Sequence, residues 1–462
     1  MNASFLHRQP GFYKRLWTLS LPMVLQNLIT FSLGLIDTFM ASQLGNEEMA
    51  AVTTANVPVF LLISTVFGLQ SGLGILVSQY WGKGDTQNIN RALGVSCLIG
   101  TTITILPAIL FALYPVQIMD LLSNRHELSL LGAPYLRFIG FSYVFNMISS
   151  LYVSVQRSVE NGAFGMKLFG FSTVLNTGLN YLLIFGKFGF PAMGVAGAAL
   201  ATLLSRVIEC AICIFCALRS KNVPLDFPAL LHPGWDMARR FVKYASPVLL
   251  NEIAWGLGTS LLTVILGYTD NSVEMLAANA VMGNLSRLFL VVCFGLGAAT
   301  SVTVGKTIGE GRSHAEIQDL GKVLLRFAAL VGGCIAAVSL LLIPLLFRPF
   351  LFPLFQLYGE SAAIATAIAT VNFGTIPIQA VAISSVTGVL RAGGDTAVST
   401  ILDLSPQWLV GLPLTALFAL VLDTGCWPIA LAMQTENLLK VPLCLWRLRS
   451  GRWIHDVTRR DF

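Results

Sequence analysis

Long apolar runs, each near the length needed to cross a bilayer, alternate along this chain with short polar connections. A hydrocarbon core about 30 Å thick asks for roughly 20 helical residues rising 1.5 Å each. Twelve runs meet that length: 16–41, 52–79, 92–114, 128–155, 166–186, 192–218, 241–268, 275–304, 320–347, 361–390, 396–422 and 427–446. The pattern predicts an all-α membrane protein with about twelve transmembrane helices. Pro22, Pro107, Pro247, Pro377 and Pro413 fall inside these runs, where neighbouring helices can satisfy the carbonyls a proline frees. The first run follows a polar, basic start and exceeds the roughly 7–15 apolar residues of a signal-peptide core, so it reads as the first span.

The longest polar connection, 219–243, carries Pro224, Pro228, Pro233 and Gly234 and divides the chain near its middle. Each half opens alike. Pro22 stands four residues before Gln26, and Pro247 stands four before Asn251, an offset of 225 between the pairs. The glycines of Gly82–Gly84 align with Gly309–Gly311 at an offset of 227, and Arg157 aligns with Arg391 at 234. The expected organisation is therefore two pseudo-symmetric six-helix lobes. Residues 1–218 form the N-lobe, 219–240 a cytoplasmic inter-lobe linker, and 241–462 the C-lobe with a cytoplasmic tail. An even number of spans separates the starts of the halves, so the repeat is parallel, as in transporters that rock two lobes about a central cavity.

Composition agrees with a lipid solvent. Of 462 residues, 55% are hydrophobic and 11% charged, against about 25% charged in an ordinary soluble domain; mean hydropathy is +0.74. The net charge of +6 would suggest nucleic acid if it were clustered, but it follows topology instead. When span ends are counted with the adjoining loops, 23 of the 29 Lys and Arg lie in one alternating set of connections and tails, and 3 in the other. Arg137, Arg206 and Arg287 lie within spans. This bias predicts a multi-pass protein of the inner (cytoplasmic) membrane with both termini cytoplasmic, and no nucleic-acid partner. All eight cysteines fall in apolar stretches, which argues against a disulfide framework.

Charge inside a membrane is costly and defaults to function. Asp37 and Glu252 are carboxylates with no opposite charge within helical reach in sequence. Such a group in a poorly solvated pocket is suited to take up and release a proton, or to ligate a small cation. Arg206 with Glu209, and Glu436 with Lys440, are spaced three and four apart, so each pair can neutralise itself on one helix face. Asp403 lies near a span end and is read as an interfacial cap or ion-pair member; Arg287 is a further secondary charge. Among neutral groups, Asn176 and Asn180 point the same way from one helix and can either bridge two helices or orient a carboxylate. Gln26, Asn251 and Gln379 are candidate lining residues of a substrate cavity. The five histidines, at 7, 126, 232, 314 and 455, lie in loops or tails, so no metal site is expected in the membrane. Gly305–Thr307 echoes the end of a phosphate-binding loop, but Thr300 stands where that loop needs glycine. No cofactor and no enzymatic activity are expected. Energy comes from an ion gradient, or transport is passive.

Several segments carry a resemblance: LPMVLQN followed by Asp37 in IDT, QYWGKGD at 79–85, NTGLNYLLIFG at 176–186, GFPAMGVAGAALAT at 189–202, NEIAWGLG at 251–258 and LRAGGDT at 390–396. In this order the chain resembles the multidrug and toxic-compound extrusion (MATE) family over essentially its whole length. The resemblance implies a V-shaped twelve-helix exporter trading protons or sodium for amphipathic, mostly cationic compounds; a monomer in membrane lipid is expected. It also implies that Asp37 is the coupling carboxylate, supported by Asn176 and Asn180. Some members have Asp where this chain has Asn180. Members with a sodium site in the second half pair acids on the seventh and tenth helices, whereas 361–390 contains no carboxylate here. The rival reading is a flippase for lipid-linked sugars or another amphiphile, which would line its cavity with cations for phosphate.

Overall fold

A computed structural model describes residues 10–422 and 424–459, and every regular element among them is helical; His7 and the two chain ends lie outside the described residues. Helices α1 (Phe12–Ser42), α2 (Asn46–Gly82), α3 (Thr86–Leu113), α4 (Pro115–Leu122), α5 (His126–Ser158), α6 (Gly162–Phe185), α7 (Gly194–Leu218) and α8 (Phe227–Leu231) come first. Next come α9 (Trp235–Gly267), α10 (Ser272–Gly309), α11 (His314–Leu354), the pair α12 (Glu360–Gly374) and α13 (Ile376–Leu390), α14 (Thr396–Val421) and α15 (Cys426–Arg449). Ten of these helices are long and apolar enough to cross a membrane, and α12 with α13 makes an eleventh span bent by 49°. The remaining long helix, α15, carries Glu436, Lys440, Arg447 and Arg449. About twelve membrane-crossing helices in two lobes are thus in place.

The helices form two compact units, Leu25–Leu249 and Met1–Val24 with Leu250–Phe462. In the first unit α5 packs against α2, α3 and α7, and α6 packs against α7. Hydrocarbon tails are as apolar as leucine, so helices associate here by close packing of small residues. A Cβ on Gly72 would lie 2.7 Å from the Cα of Ala245, and one on Gly140 would lie 3.0 Å from the Cα of Ala108. In the second unit, one on Gly388 would meet Thr300 Cγ2 at 2.7 Å, and one on Gly332 would meet the Cα of Pro377 at 2.9 Å. These crossings admit no larger residue without a shift.

Hydroxyls satisfy themselves inside these apolar helices by donating to the carbonyl one turn back. Thr303 and Thr307 donate to Ala299 O and Thr303 O at 2.8 and 2.7 Å, and Thr366 does so to Ala362 O at 2.7 Å. The internal repeat also extends to the backbone. Gly84 and Gly311, aligned in sequence, close α2 and α10 at the same φ of +71°, a left-handed conformation that glycine adopts without a Cβ penalty. Asp85 then caps α3 by accepting from Asn88 N at 3.0 Å, and Ser313 with Glu316 builds a capping box on α11.

The second unit departs from regular α geometry. Wide π turns interrupt α11 at Ile343–Leu351, α13 at Ser384–Leu390 and α14 at Gln407–Gly411 and Leu417–Val421. Its C-terminal segment folds back, with Trp453 fully buried, Trp453 Nε1 donating to Leu448 O at 3.1 Å and His455 N donating to Gly393 O at 2.7 Å.

Candidate functional site

Asp37 sits half-buried five residues from the end of α1. Its Oδ1 accepts a hydrogen bond from Asn180 Nδ2 at 2.7 Å. Asn180 Nδ2 also donates to Asn176 Oδ1 at 3.0 Å, Asn176 Nδ2 donates to Thr202 Oγ1 at 3.3 Å, and Thr202 donates to Ala198 O at 3.0 Å. The chain has one direction. The Thr202 hydroxyl spends its proton on a backbone carbonyl, so its oxygen must accept from Asn176, whose own oxygen then accepts from Asn180. The amide nitrogen of Asn180 therefore faces Asp37, and both asparagines are buried. Asn180 Oδ1 is buried without a partner, and Asp37 Oδ2 makes no hydrogen bond among the described residues. The carboxylate is held by one oxygen and open at the other.

A hydrogen bond to a charged group is worth about 1.5–3 kcal/mol, or roughly 10- to 150-fold. Asn180→Ala is expected to lower ion-driven efflux by about 10-fold or more in reconstituted vesicles, while Asn176→Ala, one step removed, lowers it less. Equal losses at both positions would mean that the whole amide chain, not the bond to Asp37, sets the effect.

Arg206 lies within electrostatic reach of Asp37, yet its Nη1 is bonded at 2.6 Å to Glu209 Oε2, and Glu209 is fully buried. That cation is thus engaged by its neighbour one turn along α7. Gln26 is buried on α1 against Gly165 of α6, with its Oε1 lacking a hydrogen bond. Thr202 has no signal in the sequence that singles it out: it lies 26 residues from Asn176, on the next helix.

The other candidates gather in the second unit, on a separate network. Glu252 Oε1 pairs with Arg391 Nη1 at 2.9 Å. Asp403 Oδ1 pairs with Lys440 Nζ at 2.6 Å, and its Oδ2 accepts from Asn251 Nδ2 at 2.8 Å with Arg391 Nη2 at 3.7 Å. Glu436 interacts electrostatically with both Lys440 and Asp403. The spacing argument joins Lys440 to Glu436 on one helix, whereas its close ion pair is across helices, to Asp403. Glu252, isolated in sequence, is also partnered. Arg391, which the apolar pattern leaves in a loop, is 1% exposed and joins the two acids. Its aligned counterpart Arg157 bonds instead to Gln70 Oε1 at 3.0 Å, so the two units differ where their repeats match. Gln379 belongs to a neutral network at the α12–α13 bend. It donates to Asn372 O and Thr375 Oγ1, while Gln434 donates to Asn372 Oδ1 at 2.8 Å and Asn372 donates to Ser286 Oγ at 3.3 Å. Arg137 and Arg287 are exposed.

An all-helical chain of some twelve apolar spans, in two repeated units with carboxylates inside the spans, defines a membrane transporter. A family model described as MatE matches residues 22–182 and again 247–417, once per half and offset by the same 225 residues as the prolines. The chain belongs to that family, the MATE transporters. It is 24% identical to a probable multidrug resistance protein NorM from Thermotoga maritima, covering 96% of this chain and 94% of the relative. Identity is 25% to multidrug resistance protein MdtK from Pectobacterium atrosepticum, covering 88% of each. Among solved structures, a MATE protein in complex with MaL6 superposes with a TM-score of 0.85 at 19% identity, over 98% of this chain and 99% of that one. A multidrug-resistance MATE transporter in an outward-facing conformation gives 0.86 at 17%, with the same coverage.

Proposed function

We propose that the protein is a secondary multidrug exporter of the inner membrane, exchanging protons for amphipathic organic cations that compete with them for Asp37. The observation that carries this reading is the geometry of that carboxylate: one oxygen held by Asn180, the other without a partner, and the nearby Arg206 taken up by Glu209. With Asp37 charged, the surrounding unit offers a cationic cargo one negative group in an apolar setting. A proton on Asp37 removes that attraction, so ion and cargo exclude each other. Relatives named as multidrug resistance proteins support the substrate class, and the asymmetry of Lys and Arg supports cytoplasmic termini.

A proton suits this site better than sodium. Hard cations take oxygen ligands, whereas Asn180 turns its nitrogen toward Asp37. Flipping that amide would set oxygen against oxygen at Asn176 and undo the chain to Thr202.

Exchange of one proton for one monovalent cation moves no net charge. It draws only on the pH difference, about 1.4 kcal/mol or tenfold accumulation per unit. A second proton per cycle would add about 2.3 kcal/mol per 100 mV. In proteoliposomes holding a fluorescent cationic dye, a one-unit pH gradient without sodium is expected to move dye uphill, and a sodium gradient at fixed pH is not. Dye movement driven by sodium alone would replace the proton in this scheme. Downhill movement only, under either gradient, would end it.

A further inference from the structure

The connection 219–240 and the first turns of α9 form a built platform. Asn90 Nδ2 of α3 donates to Pro224 O at 3.0 Å, and Asp226 caps α8 by accepting from Ala229 N at 3.2 Å. Val223, Ala229 and Met237 are buried. Gly94 of α3 lies so close to Leu230 O that a Cβ there would collide with it. This segment is pinned to its own unit rather than trailing between spans.

Its outer side is unusual. Phe227 and Leu231, one turn apart on α8, and Trp235, which opens α9, are 50%, 68% and 81% exposed. Around them the stretch 219–243 holds five Lys and Arg against two Asp. Arg219, Lys221, Arg239 and Lys243 are exposed, and so is Asp236. The Arg219 guanidinium lies 4.4 Å from the ring centroid of Phe215, itself exposed on the last turns of α7. Leu218 ends one apolar span, and Trp235 begins the helix that forms the next. The platform is therefore tied at both ends to apolar helices long enough to cross a bilayer.

We infer that this platform is a docking surface for anionic phospholipid, with Phe227, Leu231 and Trp235 inserted among the upper acyl carbons and Arg219, Lys221 and Arg239 meeting the phosphate layer. Trp at an interface, apolar residues below and cations at headgroup level is the composition that binds anionic membranes, and each Lys or Arg at such a surface contributes through its attraction to anionic lipid. A zwitterionic surface would leave the excess of cations uncompensated. This inference does not depend on which ion drives transport.

The test uses the full-length protein in vesicles and takes the difference in emission between wild type and Trp235→Phe as the Trp235 signal, since the chain has eight tryptophans. Phosphatidylglycerol brominated high on its acyl chain is expected to quench that signal about two- to fivefold more strongly than the same mole fraction of brominated phosphatidylcholine. The combined Arg219→Gln, Lys221→Gln and Arg239→Gln variant should lose the preference while remaining quenched by both lipids. Phe227→Ser with Leu231→Ser should weaken quenching by both. Quenching by aqueous iodide but not by either lipid would put the platform in water and overturn the inference. Equal quenching by both lipids in the wild type would remove the headgroup selectivity, and protection from all three quenchers would mean that a protein covers the surface instead.

Discussion

Asp37→Asn is expected to abolish the response of efflux to a pH gradient while leaving the helices packed. Asparagine has the shape of aspartate and keeps an oxygen for Asn180 Nδ2, which now donates at 2.7 Å, so the chain to Thr202 can persist. The charge and the proton are what disappear. Two unit charges 4 Å apart at an effective dielectric of about 20 attract by about 4 kcal/mol, close to 1000-fold in affinity. Allowing for solvent reaching the half-buried carboxylate, binding of a cationic dye should weaken by about 100-fold or more. Residual transport should be independent of external pH, and apparent thermal stability in detergent should stay within a few degrees of wild type. Uphill, pH-driven efflux near the wild-type rate would show that Asp37 is only a structural acceptor for Asn180. A variant that fails to fold would separate itself by its melting curve, and Asp37→Glu, which keeps the charge on a longer arm, would then carry the test: it should restore pH dependence at a reduced rate.

The residues differ in how far the sequence reveals them, and the difference is physical. Spans are legible because twenty apolar residues in a row are required by the bilayer itself. Asp37 is legible for the same reason, as a lone acid in such a run. Asn176 and Asn180 are legible because a spacing of four aligns side chains on one helix. Contacts between helices are not: nothing in the sequence points from Asn176 to Thr202, or from Glu252 across 139 residues to Arg391. Arg391 reads as a loop residue because the apolar run ends at Leu390. It is buried with its guanidinium between Glu252 and Asp403, while the tail folds back on the adjoining turn, with Trp453 against Gly393. The tenth apolar run reads as continuous, but it breaks between Gly374 and Ile376, just before Pro377. Lys440 shows the limit of spacing arguments most clearly. Periodicity offers Glu436 as its partner, while tertiary packing brings Asp403 to 2.6 Å.

That pairing leads to the largest expected effect on stability. Lys440 and Asp403 are both buried, and breaking a buried ion pair from one side costs about 3–5 kcal/mol because the remaining charge has lost its compensation. Lys440→Met leaves Asp403 with the Asn251 amide and with Arg391, which is 3.7 Å away and already bonded to Glu252. It also leaves Glu436 facing a net negative neighbour. The apparent melting temperature in detergent is expected to fall by about 10 °C. Adding Asp403→Asn to Lys440→Met should recover most of that loss, because asparagine still offers an oxygen to Asn251 and no longer presents a charge. The coupling between the two substitutions should then be at least as large as the loss recovered, about 2 kcal/mol or more, measured as a double-mutant cycle of thermal stabilities. If the double variant is as unstable as the sum of the singles, Lys440 and Asp403 stabilise the unit through packing of their side chains rather than through their charges. Stability and transport measured side by side separate the two units by role. Acids of the second unit are compensated by Arg391 and Lys440 and should report mainly in stability, whereas Asp37, with no ion pair among the described residues, should report in transport.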